Sequence, residues 1–547
     1  MNLLTYKVSG EDGYFLLLAS PGADVKDKRI LPKDIAFVLD TSGSMAGKKL
    51  EQAKKALQFC VENLNDGDRF EIIRFSTEVE PLFDKLVDAN SRNRDRAGEF
   101  IKDLKPIGGT AIDDALSKAL DLVGGRDAFH RVPNSLDKDG DAVERVPTIR
   151  DRPFVIIFLT DGKPTIGTTD EKQIVDNVKR ANGNRTRIFC FGIGTDLNTH
   201  LLDKITEETR AVSQYVLPEE DLEVKVSNFF SKIKEPVLAN PTLKFSADVR
   251  VTKLYPSPLP DVFRGDQLVI VGRYSGNGDA AVILEGTVNG ARRKFTYEVG
   301  FPRSGSDHEF IPRLWATRRV GYLLDEIRLH GENSELRDEV TDLARKYGIV
   351  TPYTAYLIVE DEDRRRVPLS MQSLPQIYAD TAVRQEAAQN WSNFNSTKDG
   401  EKGVAGARYG LALKSANAPA TASAEGAMEA NRGLGGEVFA RRYGAGGGGA
   451  SPASAATPAP DSKERLAQYS QQGRFINGKN FYQNSTQWVD AAVQQAQKAK
   501  RQRIQFNSTE YFAFAAKEAR ALPYLALGQN VQFVLDDTVY EIFDTSN

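Results

Sequence analysis

Asp34-Ile35-Ala36-Phe37-Val38-Leu39 is an apolar, β-branched run without polar alternation. It is too short for a helix and predicts a strand buried on both faces. Similar runs recur at Arg69–Phe75, Pro153–Thr160 and Thr186–Phe191, with a final strand at Ser213–Leu217. Between them the apolar spacing is helical. One helix starts at about Lys48 and carries Leu50, Ala53, Leu57, Phe59 and Val61. Others are expected at Ala97–Leu104, Ala111–Val123, Lys172–Ala181, Leu201–Thr209 and Leu222–Ile233. Strands alternating with helices predict a doubly wound, mostly parallel α/β sheet. In the open strand order 3-2-1-4-5-6 the first and fourth strands are neighbours, and ligands bind at their C-terminal ends.

The flanks carry a different period. Residues 3–20 alternate apolar and polar and run into Phe15–Leu18. Leu243–Val251, Gln267–Tyr274, Ala280–Val288 and Lys294–Val299 read as strands punctuated by Pro and Gly pairs. These segments predict a β-sandwich completed by the N-terminal strand, with the α/β domain inserted between its pieces. An unstructured leader over residues 1–30 is the alternative. Leu314, Val320, Leu323, Leu324, Ile327, Leu336, Val340 and Leu343 then recur at helical spacing. Residues 395–465 are rich in Gly, Ala, Ser and Pro, and such a segment buries too little apolar surface to order itself. Periodicity returns near Gly473. Phe475-Ile476-Asn477-Gly478 signals a hairpin. A helix is expected from Val489, a strand at Arg503–Phe506, a helix at Glu510–Ala519 and a hairpin at Val531–Phe543. The expected organisation has six parts. Residues 1–33 supply the N-terminal strands of the sandwich, 34–235 the α/β domain and 236–308 the rest of the sandwich. Residues 309–370 are a helical segment with a following strand, 371–470 a low-complexity linker, and 471–547 a small α+β module.

Composition excludes some functions. The chain has 547 residues and a net charge of -3, so no broad nucleic-acid field is implied. The basic cluster Lys498–Arg503 reads as a solvated helix face. Cys60 and Cys190 both fall among apolar residues and read as buried thiols rather than a disulfide. No stretch approaches the ~18 apolar residues of a membrane helix. Residues 1–30 show no basic segment followed by an apolar one, so no signal peptide is visible. His308 and His330 lack partners at metal spacing. Asp137, Asp139 and Asp141 suggest a calcium loop, but Ala142 and Thr148 stand where Gly and a bidentate Glu are needed, so a solvated loop is expected.

The first strand ends in a carboxylate, and the chain continues Asp40-Thr41-Ser42-Gly43-Ser44. Oxygen groups at Asp-x-Ser-x-Ser spacing on a strand tip suit a hard divalent cation. Alone, the motif reads mostly as a serine-capped turn into a helix. Two further pieces follow in order: Gly108-Gly109-Thr110 and Phe158-Leu159-Thr160-Asp161-Gly162. Together the three resemble the metal-ion-dependent adhesion site of von Willebrand factor A domains. The resemblance implies Mg²⁺ or Mn²⁺ at Asp40, Ser42, Ser44, Thr110 and Asp161. Thr110 would then be a third side-chain ligand, and the two aspartates would act mainly through bound waters. An ion with few direct protein anions stays electrophilic and seeks a partner protein's Asp or Glu.

Two more passages carry a wider resemblance. Gly13-Tyr14-Phe15-Leu16-Leu17-Leu18 before Leu31-Pro32-Lys33-Asp34 is one. Leu314-Trp315-Ala316-Thr317-Arg318-Arg319, followed by Lys346-Tyr347-Gly348-Ile349-Val350-Thr351-Pro352-Tyr353-Thr354, is the other. Over about residues 5–360 the chain resembles the inter-alpha-trypsin inhibitor heavy chains, and its architecture resembles bacterial envelope members of that group. Those proteins carry a β-rich VIT module ahead of the A domain. Here a short lead stands in its place, which reads as a chain that begins inside that module or starts late. The Asp-Pro-His-Phe attachment sequence of the heavy chains is absent, so their covalent transfer to hyaluronan is not carried over. The resemblance implies a cell-envelope or secreted, Mg²⁺-dependent protein-binding module. The alternative is an assembly scaffold in which the metal only organises the A domain. No P-loop, Gly-x-Ser-x-Gly elbow or His-Glu-x-x-His is present, so an enzyme is not expected.

Overall fold

The computed structural model describes residues 1–8, 10–20, 32–128, 152–183, 186–233, 236–246, 249–263, 266–288, 291–418, 461–496 and 498–544. Strands β1 (Asn2–Tyr6) and β2 (Gly13–Ala19) come first, and β3 (Asp34–Asp40) opens the α/β region. There follow α1 (Lys48–Glu62), β4 (Arg69–Phe75), β5 (Val79–Pro81), β6 (Val87–Asp88), α2 (Ser91–Asp103), α3 (Ile112–Ala128), β7 (Phe154–Thr160), α4 (Glu171–Asn182), β8 (Thr186–Ile193), α5 (Thr199–Glu208), β9 (Ser213–Val216) and α6 (Leu222–Ile233). The sheet order is β5-β4-β3-β7-β8-β9, with β6 also on β4. Strands β4, β3, β7, β8 and β9 are parallel, and β5 and β6 run antiparallel to β4. Successive side chains of a strand face opposite layers. In β3, Ile35, Phe37 and Leu39 pack under Leu50, Leu57 and Phe230, whereas Ala36 and Val38 pack under Leu116, Ile174 and Leu201. Both faces are covered, which is why β3 reads as a continuous apolar run.

Residues beyond α6 return to β1 and β2. The added strands are β10 (Pro236–Phe245), β11 (Val249–Tyr255), β12 (Val262–Phe263), β13 (Leu268–Gly276), β14 (Gly278–Val288) and β15 (Ala291–Phe301). Two four-stranded sheets result, β1-β2-β13-β11 and β12-β10-β14-β15. Antiparallel pairing of β2 with β13 runs from Gly13↔Tyr274 to Ala19↔Leu268. Phe15, Leu17, Ile270 and Tyr274 of one sheet share a core with Val282, Leu284 and Phe301 of the other. The α/β region is therefore inserted in a β-sandwich built partly from the N-terminal strands.

The outer face of the first sheet is covered by α7 (Phe310–His330), around which pack α8 (Ser334–Tyr347), α9 (Pro352–Arg364), α10 (Pro375–Ala379), α11 (Thr381–Ser396) and α12 (Gly400–Lys414). Tyr14, Leu16 and Val271 of the sheet meet Trp315, Leu323 and Tyr347 of α7 and α8. After α13 (Ser462–Ser470), the C-terminal region supplies β16 (Gly473–Ile476), β17 (Lys479–Asn484), β18 (Gln487–Asp490), β19 (Lys500–Gln505), α14 (Thr509–Lys517), α15 (Leu522–Leu525), β20 (Val531–Leu535) and β21 (Thr538–Phe543). These strands form one sheet in the order β16-β17-β18-β20-β21-β19. Among the described residues, no helix is long and apolar enough to cross a membrane.

Several expectations are corrected. The β-branched and aromatic run after Val350 is helix α9, not a strand. Thr351 caps it, with Thr351 and Thr354 bonding reciprocally and Pro352 in the first turn. The expected linker at 371–470 is mostly helical over its described residues up to Ala418, and again at α13. Trp391, Phe394, Tyr409 and Leu413 anchor α11 and α12 in the α7 core, while glycines between them allow close approach. The remaining linker residues, and the Asp137–Asp141 loop, lie outside the described residues. Val489 belongs to a strand rather than a helix, and Lys500–Gln505 is an edge strand, so the basic cluster is no helix face. Cys60 and Cys190 are buried free thiols.

The crossing of α7 and α12 is tightest at Gly321. A Cβ there would lie 2.7 Å from Leu413 Cβ and 2.8 Å from Lys414 N, and backbone cannot give way cheaply. Gly321→Ala is expected to destabilise by about 1–3 kcal/mol through overpacking, read as a lower urea midpoint. An unchanged midpoint would show that the two helices are not in register at that glycine.

Candidate metal centre

Asp40 ends β3 and Thr160 ends the adjacent β7, so the parallel register Leu39↔Leu159 sets the two following loops side by side. Thr41 leaves the strand with its N–H on Phe75 O at 2.7 Å and its hydroxyl on the same oxygen at 3.1 Å. The chain then makes one tight turn over Gly43–Met45 and enters α1 through Gly47, at φ 80°. That turn directs Ser42 N–H to Asp40 Oδ1 at 2.7 Å and places the Ser42 and Ser44 hydroxyls 3.1 Å apart. Ser44 donates to Asp161 Oδ1 at 2.7 Å. Thr160 donates to the second oxygen of Asp40 at 2.5 Å. Asp40, Ser42 and Asp161 are buried, while Ser44 is exposed and opens the cluster to solvent.

Thr110 arrives from a separate loop fixed by main-chain bonds. Gly43 N–H donates to Gly108 O at 3.1 Å, and Thr165 N–H to Thr110 O at 2.9 Å. A Cβ on Gly162 would lie 3.3 Å from Thr110 Oγ1 and 3.9 Å from Asp40 Oδ2, so both oxygens flank one glycine. Gly108 has φ +77°, a region that favours glycine. All five residues expected from the sequence are thus assembled at one point.

The electrostatics suit a cation. Burial pushes the Asp40 carboxyl up to about 6; hydrogen bonds from Thr160 and Ser42 oppose this, and the Asp161 charge adds to it. Two buried carboxylates and three hydroxyls make an all-oxygen donor set, which fits a hard divalent ion better than a soft one. Sequence reasoning missed Lys49, whose Nζ lies 2.5 Å from Asp161 Oδ2. It also missed Thr160 as a partner of Asp40, and Thr165, whose hydroxyl accepts from Thr110 N–H at 2.8 Å. Only the position of Lys49 in the first turn of a helix, where cations are disfavoured, could have drawn notice to it. One correction concerns His330. Its Nε2 lies 3.1 Å from Glu207 Oε2, and ligand atoms of Glu207, Glu326 and His330 lie within 4.8 Å of one another, all three residues exposed.

A second polar assembly joins the α/β region to the helices. His200 Nδ1 lies 2.6 Å from Glu171 Oε2, and Nε2 lies 3.1 Å from Leu329 O. Burial works to raise the Glu171 carboxyl, but hydrogen bonds from His200 and Asn198 bring it down to about 2. Nearby, Arg328 bridges Asp203 and Asp325, and Lys414 pairs with Asp325.

Residues 33–214 match the family described as von Willebrand factor type A domain, so the α/β unit is such a domain, a class that typically serves protein interaction. About two thirds of the chain is similar to inter-alpha-trypsin inhibitor heavy chains. It is 27% identical to the human heavy chain H4 over 370 residues, covering 65% of this chain and 37% of that protein. To human H3 it is 28% identical over 380 residues, covering 66% and 40% respectively. It thus spans about two fifths of the length of these relatives. Among solved structures, "von Willebrand factor type A from Catenulispora acidiphila" is similar with TM-score 0.45 and 15% identity, over 73% of this chain and 96% of that one. The ArnB paralog VWA2 from Sulfolobus acidocaldarius gives TM-score 0.37 at 15% identity, over 78% and 97%.

Proposed function

We propose that the chain is a divalent-cation-dependent protein-binding module of the cell envelope or extracellular space, and not an enzyme. Asp40, Ser42, Ser44, Thr110 and Asp161 would hold Mg²⁺, with Mn²⁺ as a substitute. The ion would supply an open position for an Asp or Glu carboxylate of the partner. The observation that carries this reading is the bonded string Asp40–Ser42–Ser44–Asp161, buried at both aspartates and open to solvent at Ser44. Its groups include no activated nucleophile with an adjacent general base.

Thr110→Ala tests the reading. The change removes one oxygen but little buried apolar surface, so stability should stay within about 0.5 kcal/mol. Mg²⁺-dependent capture of partners from envelope extract should fall sharply against a chelator control. Unchanged capture at equal stability would favour the scaffold reading instead. That second reading draws on the charged network of Asp203, Arg328, Asp325 and Lys414, which ties the A domain to the helices.

A further inference from the structure

The loop that brings Thr110 to the centre also holds an apolar side chain in water. Ile107 is 64% exposed, more than any other large hydrophobic among the described residues. A single exposed aliphatic residue is ordinary on a protein surface. This one, however, has a fixed position. Its N–H donates to Thr41 O at 2.8 Å, between Asp40 and Ser42, and the following Gly108 carbonyl accepts from Gly43. At Gly108 an added Cβ would meet Thr77 Oγ1 at 2.4 Å, so the loop is pressed against its support. Ile107 is therefore held at the mouth of the oxygen cluster by the same bonds that shape the cluster. On the other side of the glycine pair, Ile166 covers Gly109, where a Cβ would come within 2.7 Å of Ile166 Cγ1.

Two lysines beside these residues are held in ion pairs. Lys49 sits on Asp161 with about a third of its side chain exposed. Lys163, two residues beyond Asp161, is 38% exposed at its side chain and spans to Asp196 and Asp399. The rim is thus apolar on the Thr110 loop and carries paired lysines toward α1 and the Asp161 loop. A partner carrying only a carboxylate would leave Ile107 wet.

We infer that the partner presents its Asp or Glu directly beside a branched aliphatic residue, which packs on Ile107; this rests on the metal-bridge reading above. The occupant is an extended acidic-aliphatic protein segment, such as one carrying a Leu-Glu pair. Covering an aliphatic side chain of this size is worth roughly tenfold or more in affinity.

The test uses the full chain and three short Gly-Ser peptides, immobilised at equal density, with Leu-Glu, Ser-Glu or Leu-Gln at the centre. In excess Mg²⁺ the Leu-Glu peptide should bind roughly tenfold tighter than Ser-Glu, and Leu-Gln should not bind. Ile107→Ser should erase the preference while leaving Mn²⁺ titration by calorimetry and the melting temperature unchanged. Equal binding of Leu-Glu and Ser-Glu, a preference that survives Ile107→Ser, or capture of neither acidic peptide would overturn the inference. In those cases a normal Mn²⁺ titration leaves the metal reading standing. Absence of Mn²⁺ binding by the wild-type chain would remove both.

Discussion

Saturating Mg²⁺ is expected to raise the melting temperature of the A-domain transition in the wild-type chain and to leave an Asp40→Asn, Asp161→Asn variant where it was. An ion that binds only the folded state adds about 2.7 kcal/mol at a concentration a hundred times its Kd. For a transition of this size that is a shift of roughly 5–10 °C. At position 40 the amide oxygen can accept from Ser42 N–H, and the Thr160 hydroxyl, which now donates to the second carboxylate oxygen, can turn to accept from the amide NH2. What the two substitutions remove is the pair of negative charges. Without them the apo variant loses the tension between two buried carboxylates, which burial and Asp161 express at Asp40 as a raised pKa. Asp161→Asn also takes the ion-pair partner from Lys49, which offsets that relief, so the melting temperature without metal should stay close to that of the wild type. Calorimetric scans with Mg²⁺ and with chelator give all four values. An equal Mg²⁺ shift in both proteins would place the ion elsewhere.

The second large effect is expected at the joint between the A domain and the helices. Arg328 is almost wholly buried and donates to Asp203 of α5 and to Asp325 on its own helix, while Lys414 of α12 completes the group. Tyr215 adds a hydrogen bond to Asp203 at 2.6 Å. Burial alone would raise the Asp325 carboxyl, but the Lys414 and Arg328 charges hold it below the usual carboxylate range. Its contribution is therefore present above the ordinary carboxylate pKa and is lost as pH falls through the depressed folded value. Arg328→Leu strands two buried carboxylates on one ammonium. Breaking a buried pair from one side typically costs about 3–5 kcal/mol. Arg328→Leu combined with Asp203→Leu should cost much less than the two single changes summed, because the second removes the charge that the first orphaned. Urea unfolding of the four proteins measures that coupling. Additive losses would mean that the bridge contributes nothing to holding the two regions together.

The α/β sheet was legible because β3 and β7 are buried on both faces, and that condition writes itself into the chain as unbroken apolar runs. The site was legible because its oxygen donors sit on strand tips and in a glycine-rich loop, where identity and spacing are set by local geometry. Strand β5 escaped because three half-exposed residues beside a tight turn leave no periodic trace. Helix α9 was hidden by propensity: Tyr353, Thr354 and Tyr356 favour strands, and the deciding feature was the Thr351–Thr354 cap. Helices α11 and α12 were hidden by averaging. Their anchors Trp391, Phe394, Tyr409 and Leu413 are sparse within a stretch whose mean composition is that of a linker. Lys49 and the Arg328 bridge depend on contacts between residues far apart in the chain, and no local pattern encodes those.

The split of the sandwich around the A domain has a mechanical consequence. The chain enters the A domain after β2 and leaves it into β10, and these strands lie in opposite sheets. A load applied at the Asp40–Asp161 cluster therefore pulls on both sheets at once. Strand β2 is gripped along its length by β13, and β10 by β14. Load on β2 runs along a ladder whose bonds must shear together, so the N-terminal strands act as a second mooring line for the A domain.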